Sequence, residues 1–124
     1  AHYDGINNIP AANDNAAGIS VMLELIRLLH DIPTDTEIRF VAFDAEEMGL
    51  IGSEYYASHL GDDINRTIGM LNIDMIGSTK AGSVSIFSSN GNENYLSDIL
   101  KKNKKYTNII ISKNQQKKML KHLF

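Results

Sequence analysis

The run Ile38-Arg39-Phe40-Val41-Ala42-Phe43 ends directly in Asp44-Ala45-Glu46-Glu47-Met48-Gly49-Leu50. A stretch that is apolar on both faces reads as a central strand of a covered sheet. Two adjacent glutamates at its carboxyl end are then a costly choice, because a carboxylate removed from water needs a partner. A metal ion is one good partner. His2, Asp14 and Asp74 offer further donors, so the pair reads as part of a metal site. The chain has no cysteine, which excludes a disulfide framework and a thiolate zinc site. Any metal must be held by nitrogen and oxygen ligands.

The rest of the chain fits a sheet of this kind. Its 124 residues suit one domain with one modest core, and 43% apolar content favours folding. No apolar run reaches membrane-spanning length, and no signal peptide opens the chain. Residues 5 to 14 are rich in Gly, Asn, Pro and Asp and read as a loop. Asn13 or Asn15 is placed to cap a helix over about 16 to 30. Ile19, Met22, Leu23, Ile26 and Leu29 give that helix one apolar face. Asp31-Ile32-Pro33 ends it. A strand is expected over 37 to 43, a turn over Gly49 to Gly52, and a short helix over 53 to 60 that Gly61-Asp62-Asp63 breaks. Further strands are expected over 68 to 75, 83 to 88 and 107 to 111, with a turn between Gly77 and Gly82 and a helix over 92 to 102. Alternating strands and helices predict an α/β domain with a largely parallel sheet over 1–112, followed by a basic tail over 113–124.

Charge divides the chain. Eight of its twelve basic residues lie after position 100, where there is no acid, and all fifteen acids lie before it. Most of those acids read as solvated surface. The excess also suits a site whose carboxylates are neutralised by cations. The tail lacks aromatic interleaving beyond Tyr106, which argues against nucleic-acid recognition.

In an α/β sheet, ligands bind beyond the carboxyl ends of the strands. Glu46 and Glu47 follow one expected strand, and Asp74 closes another. His2 would sit at the end of a strand whose body precedes the chain, and Asp14 lies in the loop leading into the first helix. A dinuclear hydrolase needs such a set: a bridging carboxylate, terminal ligands on each cation, and a further carboxylate to take and return the proton of the attacking water. Adjacent side chains point differently, so one glutamate can bind metal while the other faces the water. Asp4 is close enough in sequence to orient a ligating His2. Each residue alone has a plainer reading. Asp14 is a turn or cap residue, and Glu46-Glu47 suit the first turn of a helix. His30 and His59 sit near helix C-termini and read as structural. Gly49 and Gly52 read as turn glycines. No His-Glu-x-x-His segment is present, which argues against a thermolysin-like protease.

Taken together, four segments resemble the M28 family of zinc aminopeptidases. They are Ala1-His2-Tyr3-Asp4, Ala12-Asn13-Asp14-Asn15-Ala16-Ala17-Gly18, the stretch from Phe40 to Ser53, and Asn72-Ile73-Asp74-Met75-Ile76-Gly77. The resemblance covers about residues 1 to 90. It implies a three-layer α/β fold of the zinc-peptidase type, with a mainly parallel or mixed sheet flanked by helices, here incomplete at both ends. It implies two zinc ions (Zn2+) per site. His2 and Asp74 would bind one, Glu47 the other, and Asp14 would bridge both. Glu46 would be the general base and acid, Asp4 would orient His2, and a cis peptide would follow Asp14. The reaction would remove the N-terminal residue of a peptide substrate through a zinc-activated water.

The family's fifth ligand is a late histidine in a Ser-Asp-His segment followed by Phe. This chain has Leu120-Lys121-His122-Leu123-Phe124, so His122 is the candidate, although Lys121 replaces the acid and the spacing from Asp74 is short. From Lys101 onward Lys, Asn, Ile and Gln dominate, as in AT-rich DNA read out of frame. We therefore expect a truncated or frame-shifted piece of a longer peptidase, with self-association through uncovered sheet edges or core faces. The rival reading of the tail is a basic surface for anionic partners. The alternatives in function are a non-catalytic peptidase-fold binding module and a relative of the carboxypeptidase or glutaminyl cyclase type. The resemblance points to an extracellular or cell-envelope location.

Overall fold

The apolar residues spaced by three and four between 16 and 30 form the first helix, α1 (Ala17–Leu29). The computed structural model describes residues 1–80, 83–86, 95–103 and 109–111. A single wide turn, Ala12–Ala16, leads into α1, and within it Asp14 and Asn15 leave helical dihedrals. The Asp14–Asn15 peptide bond is cis, as the resemblance implies. Of the two asparagines expected to cap the helix, Asn15 does so: its Oδ1 accepts the Gly18 N–H at 2.9 Å.

The second helix, α2 (Ile51–Ser58), starts two residues before the expected Ser53. Residues 44 to 50 form a tight turn ahead of it. Gly49 and Leu50 donate their N–H groups to the Glu46 carbonyl at 2.9 and 2.8 Å, and Ile51 donates to the Ala45 carbonyl at 3.1 Å. Ala45, Gly49 and Leu50 all take positive φ. Glu46 and Glu47 therefore lie in this turn, and the first-turn helix reading is corrected. Gly52 lies inside α2 rather than in the turn. It is needed for close approach, since a Cβ there would collide with the Asp44 carbonyl. The Tyr56 ring packs edge-on to Phe43, with centroids 5.7 Å apart, and pins α2 to the end of the apolar run. Where Gly61-Asp62-Asp63 was expected to break the helix, a 3-10 turn runs over Gly61–Arg66.

Among the described residues there are two parallel pairings. Strand β1 (Val84–Ile86) lies beside β2 (Ile109–Ile111), with Val84 opposite Ile109. Helix α3 (Tyr95–Lys102) falls between them in sequence, the connection a parallel pair requires. These three elements fall inside the segments expected over 83 to 88, 92 to 102 and 107 to 111, whose remaining residues, Ser83 apart, lie outside the described ones. The other pairing is a single parallel bridge, His2 to Phe43.

Of the strands expected over 37 to 43 and 68 to 75, the described residues show pairing only at Phe43, and 68 to 74 carry no ladder. A strand exists only through a hydrogen-bonded neighbour, and among the described residues none lies along these stretches. Their apolar pattern records a need for burial that the described residues do not meet: Ile38, Ile68 and Leu71 are exposed, Ile68 at 87%. No described apolar side chain is buried, so the modest apolar core expected from composition is not assembled among these residues. Those that are buried are polar: His2, Asn15, Ser53 and Ser97. No described helix is long and apolar enough to cross a membrane.

Candidate metal centre

The parallel bridge sets His2 at the carboxyl end of the apolar run. Tyr3 donates to the Phe43 carbonyl and Phe43 donates to the Ala1 carbonyl, each at 3.0 Å. His2 is 2% exposed and forms the hub of the site. Its Nε2 lies 3.2 Å from Asp14 Oδ1, 3.6 Å from Asp74 Oδ1 and 3.9 Å from Glu46 Oε2. Its Nδ1 lies 3.2 Å from Asp4 Oδ1. The other Asp4 oxygen accepts the Glu47 N–H at 3.1 Å, so one carboxylate ties the imidazole to the 44–50 turn.

Asp14 and Asp74 come from segments 60 residues apart. Asn15 joins them: its Nδ2 donates to the Ile73 carbonyl at 3.0 Å, and its Oδ1 accepts the Met75 N–H at 3.3 Å. Asn13 Oδ1 accepts the Gly77 N–H at 2.7 Å. Helix α1 can approach this loop because residue 18 is glycine. A Cβ there would run into the Ile73 carbonyl and the Asn15 amide.

The donors suit zinc. His2 Nε2 and Asp74 Oδ1 are buried without a hydrogen-bond partner, which is costly unless something else satisfies them. Ligand atoms of His2, Glu46 and Asp74 lie within 4.8 Å of one another. Zinc binds nitrogen and oxygen at about 2.0–2.2 Å with tetrahedral geometry, which sets neighbouring ligands about 3.3 Å apart. The His2 distances to Asp14 and Asp74 match that spacing, whereas the distance to Glu46 exceeds it.

Electrostatics point the same way. Burial disfavours the charged His2 imidazole, but Glu46, Asp74, Asp4 and Asp14 around it outweigh burial and raise its pKa above the usual 6.5. Burial raises the Glu46 pKa above 4.5. His2 opposes this, and the nearby Asp74, Glu47 and Asp14 carboxylates add to it. Burial works against the Asp4 carboxylate too, but the backbone N–H groups of Glu47, Glu46 and Asp4 itself, with His2, hold its pKa below the usual value. Without metal, the folded chain thus holds protons on His2 and Glu46 more tightly than the unfolded chain. The stability they contribute is full below their unfolded pKa values and is lost as pH rises through the raised folded ones. Asp4 has the opposite sign, but acts below about pH 4. The thermal midpoint in chelator should fall from about pH 5 to about pH 8. With zinc the slope should reverse, because metal needs the neutral imidazole. Parallel slopes with and without zinc would contradict a centre built on His2.

Of the residues expected from sequence, His2, Asp14, Glu46 and Asp74 converge, with Asp4 behind His2. Glu47 joins through its backbone N–H, and its carboxylate is not among the His2, Glu46 and Asp74 group. His122 and residues 113–124 lie outside the described residues. Sequence reasoning missed Asn13 and Asn15 as links to the Asp74 loop. The signal was the placing of an amide on each side of Asp14.

A model of peptidase family M28 matches residues 1–122. Aminopeptidase YwaD of Bacillus subtilis is 46% identical over 99 residues, which cover 77% of this chain and 22% of that protein. A probable leucine aminopeptidase 2 of Aspergillus oryzae is 38% identical over 78 residues, 62% of this chain and 16% of that protein. A probable zinc metalloprotease of Pyrenophora tritici-repentis is 35% identical over 88 residues, 64% of this chain and 20% of that protein. The chain thus spans about a fifth of the length of these curated relatives. No solved structure matches it.

Proposed function

The chain belongs to peptidase family M28, and from that membership we propose that it is the metal-binding part of a zinc aminopeptidase acting on the N-terminal residue of peptides. The observation that carries this reading is the pair of buried atoms without a hydrogen bond, His2 Nε2 and Asp74 Oδ1, which face each other beside the Asp14 and Glu46 carboxylates. The names of the relatives, aminopeptidase and zinc metalloprotease, support it.

In this reading His2 and Asp74 would hold one zinc, Glu47 would hold the other, and Asp14 would be shared by both. Zinc, when bound, polarises the scissile carbonyl and lowers the proton affinity of water. The chain's own groups do the rest. Asp4 accepts the His2 Nδ1–H and so keeps Nε2 free as a donor atom. Glu46 takes the proton of the attacking water and returns it to the leaving amine. Its raised pKa suits both steps, because a base that must also act as an acid works best near the operating pH. We also propose the family's three-layer architecture, with 37–43 and 68–75 as strands. The exposure of Ile38, Ile68 and Leu71 supports it, as side chains that such layers would cover.

The test is zinc content together with hydrolysis of an N-terminal amino-acid p-nitroanilide, with and without chelator. Two zincs per chain and chelator-sensitive release of nitroaniline are expected. A folded protein that takes up no zinc would reject the reading in favour of a binding module. Sedimentation of the same sample reads whether the exposed apolar side chains drive self-association.

A further inference from the structure

The buried amide of Asn15 is not explained by capping α1. Capping needs only an acceptor, and Oδ1 supplies it to Gly18. The same side chain also donates to the carbonyl of Ile73 and accepts from the N–H of Met75, the residues on either side of Asp74. A residue in a parallel sheet bonds its neighbour in this way, through the carbonyl before and the N–H after the facing position. Asn15 thus supplies, from a side chain, one rung of parallel pairing centred on Asp74. It is fully buried, at 0% exposure. The stretch it grips, 68 to 74, has no ladder of its own. Asn13 adds a second hold three residues further on, at the Gly77 N–H.

We propose that Asn13 and Asn15 are a pair of positioning residues whose amides set Asp74 at metal-binding distance from His2. The inference rests on the metal-centre reading above. Asp14 lies between the two amides in sequence, so the turn that carries one acid also holds the loop that carries the other. Only Asn meets the demand at position 15. An aspartate there keeps the acceptor but has no donor for the Ile73 carbonyl, and its charge repels that oxygen. A leucine has neither group.

Asn15→Asp separates positioning from simple electrostatics. An extra carboxylate beside a cation site should tighten zinc if charge alone mattered. Positioning predicts the reverse, a loss of about 10–100-fold in affinity, the range for partners that orient ligands. Zinc chloride alone is titrated by calorimetry into the wild-type chain and the variant, with circular dichroism reporting the fold of each. Weaker zinc in a folded variant supports the proposal, and equal or tighter zinc overturns it. If Asn15→Asp does not fold, the decision passes to position 13, where only an acceptor is used. Asn13→Ala should weaken zinc and Asn13→Asp should retain it, and equal affinities in those two would overturn the proposal. A folded wild type that binds no zinc overturns the metal-centre reading together with this one, whereas zinc-binding wild type with indifferent variants removes the positioning role alone.

Discussion

Glu46→Gln should reduce turnover of an N-terminal p-nitroanilide by about 10²–10⁴-fold, the usual worth of a positioned general base, with zinc content unchanged. Glutamine keeps the size and one carbonyl oxygen but cannot take a proton. The structure makes the experiment decisive, because Glu46 stands close enough to be confused with a ligand. Its carboxylate shares the group of His2 and Asp74 donors. Its 3.9 Å separation from His2 Nε2, against 3.2 and 3.6 Å for Asp14 and Asp74, favours a place beside the water. Glu47→Ala is the matching control and should lose one of two zincs. Zinc loss from Glu46→Gln as severe as from Glu47→Ala would exchange the two roles.

His2→Ala should abolish zinc binding, with turnover lost alongside it. The loss should exceed the 10–100-fold that follows removal of a residue that merely orients a ligand. His2 is the group that meets Asp4, Asp14, Glu46 and Asp74 together. Without it, the carboxylates gathered around the imidazole lose the partner they share, and the repulsion between neighbours such as Glu46 and Asp74 is no longer offset by it. The variant should therefore lose stability near neutral pH and regain part of it on acidification, as the carboxylates protonate. Thermal midpoints measured against pH, with zinc analysis of each sample, read both effects. A His2→Ala protein that keeps its full zinc content would sink the centre proposed here.

Much of the site was legible because its donors lie in short, chemically unusual segments. An imidazole two residues before an acid, an acid between two amides, paired glutamates after an apolar run and an acid within another such run are local facts. The helices were legible for the same reason. Apolar spacing of three and four is a local code, and α1 and α2 begin and end within about two residues of expectation. The sheet was less so. Residues 37 to 42 and 68 to 74 carry a strand's composition, but pairing depends on what lies alongside, and no local pattern states that.

The order of residues fixes which ligand atoms are on offer: nitrogen and oxygen donors, no cysteine sulfur, in segments that fit one family. Which of them meet depends on how the chain folds back on itself. Positive φ at Ala45, Gly49 and Leu50 folds the 44–50 turn so that the Glu46 carboxylate faces His2 while Glu47 offers its backbone N–H to Asp4. The bonds from Asn13 and Asn15 to the 73–77 segment span 58 to 64 residues. Contacts that distant are settled by the closure of the whole chain. Local periodicity carries no record of them, because it reflects only what each residue prefers among its near neighbours.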